Sequence, residues 1–418
     1  MTTRREFIRT AAATAAATAL QAPLVHAGGS DLLKVGLIGC GGRGTGAAEQ
    51  ALNADPNVKL VAMGDAFEDR LNSSLKILSK TLPEKVDVKP ENKFVGFDAY
   101  KGVIAASDVV LLCEPPHFRP SHIKAAVEAG KHVFAEKPVA VDGPGVRSVL
   151  ASCEEAKKKS LSVVSGLCLR YDNGFREMMK RVHDGDIGDV IALFANDYRS
   201  GRWARPRQDG MSDMLWHMRN WYNFTWLSGD FNVEQHVHYL DVCAWAMKDL
   251  YPVKALGMGG RQVLVEPEYG NIYDHFSITY EYANGTRLIS NTRQQKGCKN
   301  DMSAFAIGTK GRATMTEGRW QIFGEKPWEY KGKDKSIYQV EHDEFFASIR
   351  SGKPINNGDY MSKSSLLAIM GRMAAYTGQL ITWDQAMNSK QDLSPAKYDW
   401  DLAIEMPPVA IPGSTKFF

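Results

Sequence analysis

The segment Gly39-Cys40-Gly41-Gly42-Arg43-Gly44 follows an apolar run, Leu33–Cys40, and opens a helical stretch, Thr45–Asn53. A Gly-x-Gly-x-x-Gly in that setting turns tightly, lets the backbone approach a pyrophosphate and aims a helix N-terminus at it. Asp65 ends the next apolar run, Val58–Gly64, 26 residues after Gly39. A carboxylate at that distance accepts hydrogen bonds from the adenosine ribose hydroxyls and repels a 2′-phosphate. These residues predict a dinucleotide site made by Gly39, Gly41, Gly42, Arg43, Gly44 and Asp65, with NAD favoured. Arg43 leaves NADP open, because a guanidinium in this loop can reach a phosphate.

Further apolar runs at Val109–Cys113, His132–Ala135 and Leu161–Gly166 alternate with helical stretches at His122–Ala129 and Gly145–Lys159. Continuous apolar strands separated by helices predict a parallel sheet covered on both faces. Ligands of such sheets bind at the carboxyl ends of the strands. Glu114, Pro115, Pro116, Glu136 and Lys137, each just after a run, are therefore also expected beside the cofactor. After Tyr171 the texture changes. Val190–Asp197, Val253–Val265, His275–Tyr282, Thr286–Thr292 and Ala304–Ile307 read as strands with few helices between them. Asn284-Gly285, between two of them, is a hairpin signal. Tyr338–Arg350 and Ser362–Tyr376 read as helices. The fold class expected is α/β, an N-terminal Rossmann domain with a parallel sheet followed by an α/β domain with a large, open, mostly antiparallel sheet. The boundaries expected are 32–167 for the first, 168–400 for the second and a tail at 401–418.

A chain of 418 residues exceeds what one core supports. Lys+Arg number 51 against Asp+Glu 48. Part of that small excess lies in the first nine residues, where Arg4, Arg5 and Arg9 oppose Glu6. The near-neutral remainder excludes a nucleic-acid partner, which needs a clustered basic surface. Thr3-Arg4-Arg5-Glu6-Phe7-Ile8-Arg9, the Ala11–Leu20 run and Val25-His26-Ala27 read as a twin-arginine leader cleaved after Ala27. The run is too short for a stable membrane anchor. A periplasmic or otherwise exported protein is expected. Six cysteines without paired spacing read as buried thiols rather than metal ligands. On a helix, His236 and His238 would diverge by about 200°, and no metal is expected.

With these pieces in place, the chain resembles the Gfo/Idh/MocA superfamily (glucose-fructose oxidoreductase, inositol dehydrogenase, rhizopine catabolism). The resemblance rests on Gly39–Gly44, Asp65, Glu136-Lys137-Pro138 and Gly229–Asp241. It implies an NAD(P)-dependent oxidoreductase acting on a ring hydroxyl of a sugar, inositol or related polyol, as a homo-oligomer, dimer or tetramer, often paired through the open sheet. It also implies that Lys137 approaches both nicotinamide and the reacting hydroxyl, that His238 is the acid/base, and that Asp241 matches a further acid. Glu234 stands where the family usually has Asp. Glu234, His238 and Asp241 are i, i+4 and i+7, which a continuous helix puts on one face. A histidine beside a carboxylate and a lysine suits removal of the alcohol proton as hydride leaves.

Gly201–Asp230 is dense in Trp, Arg, His and Asn, and carbohydrate sites combine aromatic faces with polar groups for hydroxyls. Tyr198, His217, Arg219 and Asn220 are the expected substrate residues, with Arg170 and Asp241 as further wall. Trp226 reads as core. Export of a nicotinamide enzyme implies a tightly retained cofactor. Paired oxidation and reduction of two sugars, an external acceptor, and transient oxidation at C3 followed by elimination of a glycosidic substituent all remain open. A non-catalytic sugar- or nucleotide-binding protein is the remaining alternative, and Lys137 and His238 argue against it.

Overall fold

The computed structural model describes residues 31–333 and 335–417. The leader expected at 1–27 lies outside them. Six strands, β1 (Leu33–Ile38), β2 (Val58–Asp65), β3 (Lys93–Val95), β4 (Val109–Leu112), β5 (His132–Ala135) and β6 (Val163–Ser165), form a sheet in the order β3-β2-β1-β4-β5-β6. Every pairing is parallel. All four residues of β4 are buried, as a strand covered by helices on both faces requires. The strand order reverses between β1 and β4, and the crevice at their carboxyl ends is where such sheets bind ligands. The three-residue β3 is too short for an apolar run to announce it.

The second sheet has nine strands: β7 (Val190–Arg199), β8 (Lys254–Gly260), β9 (His275–Glu281), β10 (Arg287–Gln294), β11 (Asp301–Gly308), β12 (Gly311–Thr316), β13 (Arg319–Gly324), β14 (Trp328–Glu329) and β15 (Ile381–Thr382). Their order is β14-β13-β12-β11-β7-β10-β9-β8-β15. Only the central β7–β10 pair is parallel; the rest are antiparallel. The alternation predicted for a one-sided sheet is plain in β9, where Phe276, Ile278 and Tyr280 are buried and Ser277 and Thr279 exposed. Gly285, at φ +85°, turns the β9–β10 hairpin. The run expected at Val253–Val265 stops at Gly260, because Asp274 accepts the backbone N–H groups of Gln262, Val263 and Leu264 and bends the chain there.

The helices Val237–Ala246 and Gly358–Thr377 cover the inner face of this sheet, and the second also packs on the helix Gly143–Lys158 of the first unit. One apolar core therefore runs through both sheets, from Val110 and Val133 to Ile278 and Leu288. The chain also returns to the first sheet after leaving it. The helix Ile337–Arg350 inserts Phe345 and Phe346 beside Leu37 and Phe134, and Ile355 and Asn357 hydrogen-bond the backbone of Val163. Residues 389–417 carry neither helix nor strand and run across the surface. Tyr398 and Trp400 lie on Phe97 of the first unit, and Ala410 accepts a bond from Tyr273 of the second. Among the described residues no helix is long and apolar enough to cross a membrane.

Candidate active site

The first cavity, of about 330 Å³, lies at the strand-order reversal. Its floor is the glycine loop. Gly39 sits at φ +87°, and a Cβ there would lie 2.4 Å from the Glu114 nitrogen; a Cβ on Gly44 would lie 1.9 Å from the Gly39 carbonyl oxygen. Gly41 and Gly42 have nothing within 4 Å of that position. The outer glycines thus close the turn, while the middle ones leave open backbone at the N-terminus of the helix Gly42–Ala54. That is the cradle a pyrophosphate needs. Asp65 ends β2 in the same cavity and accepts the backbone N–H groups of Cys40 (2.6 Å) and Phe67 (2.9 Å), while burial pushes its carboxyl up. Glu114 and Pro115 line the opposite wall. Glu114 bonds His122 through one oxygen (3.1 Å) and leaves the other buried without a partner. Pro116 starts the short helix that carries the chain away.

Arg43 does not reach toward Asp65. Its guanidinium pairs with Glu136, with Gln50 (2.9 Å) and with Glu341 (3.2 Å), and lies over the Tyr338 ring. Although burial opposes its charge, Arg43 and then Lys137 and Arg119 hold Glu136 below the ordinary carboxylate range. Glu341, buried beside it, is pushed well up.

Lys137 leaves β5 next to Glu136 and precedes Pro138 in a cis peptide. Its Nζ donates to the Glu234 carbonyl (2.6 Å) and to Glu234 Oε1 (3.1 Å). Glu234 Oε2 and His238 Nδ1 are buried and have no partner. The His238 ring lines a second cavity of about 550 Å³ together with Arg199, Gln235, Tyr239 and Met302. Burial first, then the charges of Lys137 and Arg199, hold His238 well below its ordinary value, so the ring is neutral at neutral pH. A neutral imidazole is a proton acceptor. Lys137 thus holds Glu234, and His238 lies within electrostatic reach of Lys137.

The remaining expectations fare differently. The helix breaks at Gln235–His236, between the short helix Phe231–Glu234 and Val237–Ala246, so Glu234 does not belong to the helix face that carries His238 and Asp241. Asp241 points away and holds Arg170 with both oxygens (2.8 Å each), and Ser364 donates to it at 2.7 Å. Arg170 and Asp241 satisfy one another instead of lining the site. Tyr198 projects from the outer face of β7 under Arg293. Strand alternation puts its neighbours Asp197 and Arg199 on the site side. His217 stacks on Phe224 (3.6 Å) and accepts from Trp226 Nε1 (3.1 Å), inside an aromatic cluster. Asn220, fully buried, accepts from the Arg205 nitrogen and donates to the Glu268 carbonyl, so it ties its loop together. Trp226 is core, as expected. His236 bonds Ser290 (2.8 Å) on the far side of the break, and no cluster of metal-ligating side chains exists among the described residues.

Arg219 belongs to the nucleotide cavity. It crosses to Asp69 with two bonds (2.8 and 2.7 Å), and its guanidinium lies 3.7 Å over the Phe67 ring. Trp203, Arg205 and Trp221 line the same cavity. The loop from the second half of the chain thus walls a site whose floor is in the first. Sequence reasoning missed Asp197 and Arg199, which the period of two in β7 could have separated from Tyr198. It also missed Trp203 and Trp221 as cofactor wall, for which no local signal exists.

Residues 33–165 match the Gfo/Idh/MocA model, described as an oxidoreductase family with an NAD-binding Rossmann fold. The chain is 25% identical over 331 residues to the inositol 2-dehydrogenase of Cereibacter sphaeroides, covering 77% of this chain and 86% of that protein. It is 23% identical over 338 residues to the myo-inositol 2-dehydrogenase of Thermotoga maritima, covering 77% and 90%. In fold it is similar to the aldose-aldose oxidoreductase of Caulobacter crescentus crystallised with glycerol, with a TM-score of 0.66 at 18% identity over 84% of this chain and 99% of that one. Glycine cradle, ribose-side carboxylate and a family model that matches residues 33–165 together make this chain an NAD(P)-dependent oxidoreductase whose nucleotide-binding unit is of the Gfo/Idh/MocA kind.

Proposed function

We propose that the chain moves hydride between NAD and a ring hydroxyl of a sugar, inositol or related polyol, and keeps its nucleotide between turnovers. The observation that carries this reading is the Lys137–Glu234 pair within electrostatic reach of a neutral His238, tied to the glycine loop through the Arg43–Glu136 ion pair, with Glu234 Oε2 and His238 Nδ1 buried and unpartnered. Buried polar atoms without partners mark places where a ligand completes the hydrogen bonding. The inositol dehydrogenases among its relatives support a polyol as substrate. Asp65 favours NAD over NADP, since its carboxylate stands where a 2′-phosphate would meet it.

A bound nicotinamide would supply the hydride acceptor. The protein's own part is acid–base and positional. His238 takes the hydroxyl proton as the C–H bond breaks, and neutrality leaves its ring free to do so. Lys137 Nζ, anchored by Glu234, puts a positive charge beside the oxygen that becomes a carbonyl. Arg43, bridging the glycine loop to Glu136, keeps Lys137 in register with the cradle.

The reading of residues 3–27 as a twin-arginine leader supports a periplasmic or otherwise exported location. A second copy is proposed on the uncovered face of the nine-stranded sheet, where Phe194, Ile289 and Phe305 adjoin across strands and Met258 and Ile307 are exposed. Protein purified without added cofactor and then denatured should release about one NAD(H) per chain, identified by mass and absorbance. The same protein should interconvert inositol or aldose pairs with no nucleotide supplied. An empty protein that also fails to reduce added NAD with any polyol would overturn the reading.

A further inference from the structure

Asp197 and Arg199 sit on the site side of the last turn of β7 and are used by nothing described so far. Asp197 is fully buried and pairs with the Arg199 guanidinium through Nε (2.5 Å) and Nη2 (3.3 Å). One face of the guanidinium is thereby fixed by a carboxylate that water does not reach. Nη1 makes no hydrogen bond within the described residues, and the side chain keeps 36% of its exposure. That exposure is into the cavity lined by His238 and Gln235. Burial pushes the Asp197 carboxyl up, with Arg199 and then Lys137 opposing, so the pair sits within electrostatic reach of the Lys137–Glu234 contact.

The geometry points to Arg199 as the residue that holds the hydroxyl next to the one being oxidised. This rests on the polyol reading above and narrows it to substrates with a vicinal diol at the reacting carbon. An arginine offers planar, directed N–H donors and no acceptor. Its unpaired edge therefore takes hydroxyl or carbonyl oxygens, beside an imidazole that takes a proton. The two charges of the pair cancel, as do those of Lys137 and Glu234, and the further charge in the lining is the Glu317 carboxylate, so the cavity has no surplus cation for an acid and suits a neutral sugar or cyclitol. Asp197 is a positioning residue, since it acts only through the guanidinium. On β7 the strand holds Arg199 in place more firmly than a loop would, so the angle between the two hydroxyls becomes a specificity filter.

The test is steady-state kinetics on the intact protein with its best polyol and with the monodeoxy derivatives of that polyol. Arg199→Gln should raise KM at least tenfold with kcat within about threefold of the parent and unchanged NAD(H) content. Arg199→Lys should recover part of the loss. One monodeoxy derivative should bind the parent as poorly as it binds Arg199→Gln, because the missing hydroxyl and the missing guanidinium remove the same contact. Arg199→Gln leaves Asp197 buried without its partner, a common cause of misfolding. The double variant Asp197→Asn/Arg199→Gln removes that charge and carries the test if the single variant does not fold. A KM within twofold of the parent in the folded variants overturns the assignment while the polyol reading stands. A parent that holds NAD yet turns over no polyol overturns both.

Discussion

Two charged clusters stand at either end of one short stretch of chain, and they are built differently. At the first, Lys137 holds Glu234, while Glu234 Oε2 and His238 Nδ1 are buried and unpartnered. Further along the chain, Asp241 gives both oxygens to Arg170, takes a bond from Ser364, and shares Arg170 with Asp249 and the ring of Tyr360. The second cluster is complete and holds the helix Val237–Ala246 to the rest of the fold. The first leaves two buried polar atoms of one motif open beside a charged pair, which is what a site awaiting a ligand looks like. Residue types alone do not separate the two, since both pair a basic side chain with a carboxylate from the same motif.

The sharpest way to break the contrast is to disable the incomplete cluster. Lys137→Met and His238→Ala should each lower hydride transfer by about a thousandfold or more, within the range that general acid–base and electrostatic groups contribute, while nucleotide released on denaturation stays at the parent amount. Turnover near that of the parent in either variant would remove the cluster from the chemistry. Asp241→Asn should do the reverse. It leaves Arg170 buried beside a weaker partner and should cost on the order of 3 kcal/mol in urea unfolding, with kcat per folded molecule unchanged. A loss of kcat without loss of stability would make Arg170 and Asp241 substrate residues after all.

Acid sharpens the comparison from another side. Burial holds His236 to about 3, against an ordinary 6.5. The folded ring refuses a proton that the unfolded chain accepts, so stability is full above about pH 6.5 and falls as pH drops toward the folded value. The slope is about 1.4 kcal/mol per pH unit for one such ring. His236→Asn, which keeps a polar group near Ser290, should flatten the fall in urea midpoint between pH 6 and 4.5 by that amount. Parallel slopes for parent and variant would contradict the burial argument. The smallest effect is expected at Arg219, whose partner Asp69 is largely exposed and whose pair is correspondingly weak. Arg219→Ala should speed NAD dissociation, followed by displacement, only two- to fivefold. No change would mean that the loop walls the cavity without retaining what it holds.

The parallel sheet was legible because its signals are local. Except for β3, each strand is a largely apolar run, and the glycine loop, Asp65 and Glu136-Lys137 lie within a few residues of a strand end, where the fold places ligands. The second half was legible only as a texture. The strands β12 to β15 are short or polar, and nothing near Asn220 or His217 says whether their polar atoms face a substrate or a neighbouring backbone. His217 went to an aromatic core, Asn220 to a loop and Arg219 to the cofactor. Tyr198 and Arg199 changed places because a strand gives adjacent residues to opposite faces.

Sequence by itself determined the order of the α/β elements, the glycine cradle and its acid, and the presence of a lysine and a histidine suited to alcohol chemistry. These rest on periodicity, backbone conformation and spacing along a single element, which act over a few residues. Tertiary structure decided which charges are spent on one another and which are left unpaired, which helix break parts Glu234 from the helix of His238 and Asp241, and which distant loop walls the nucleotide cavity. Those outcomes depend on burial and on partners up to hundreds of residues apart, and a carboxylate has no property in the sequence that says which cation it will meet.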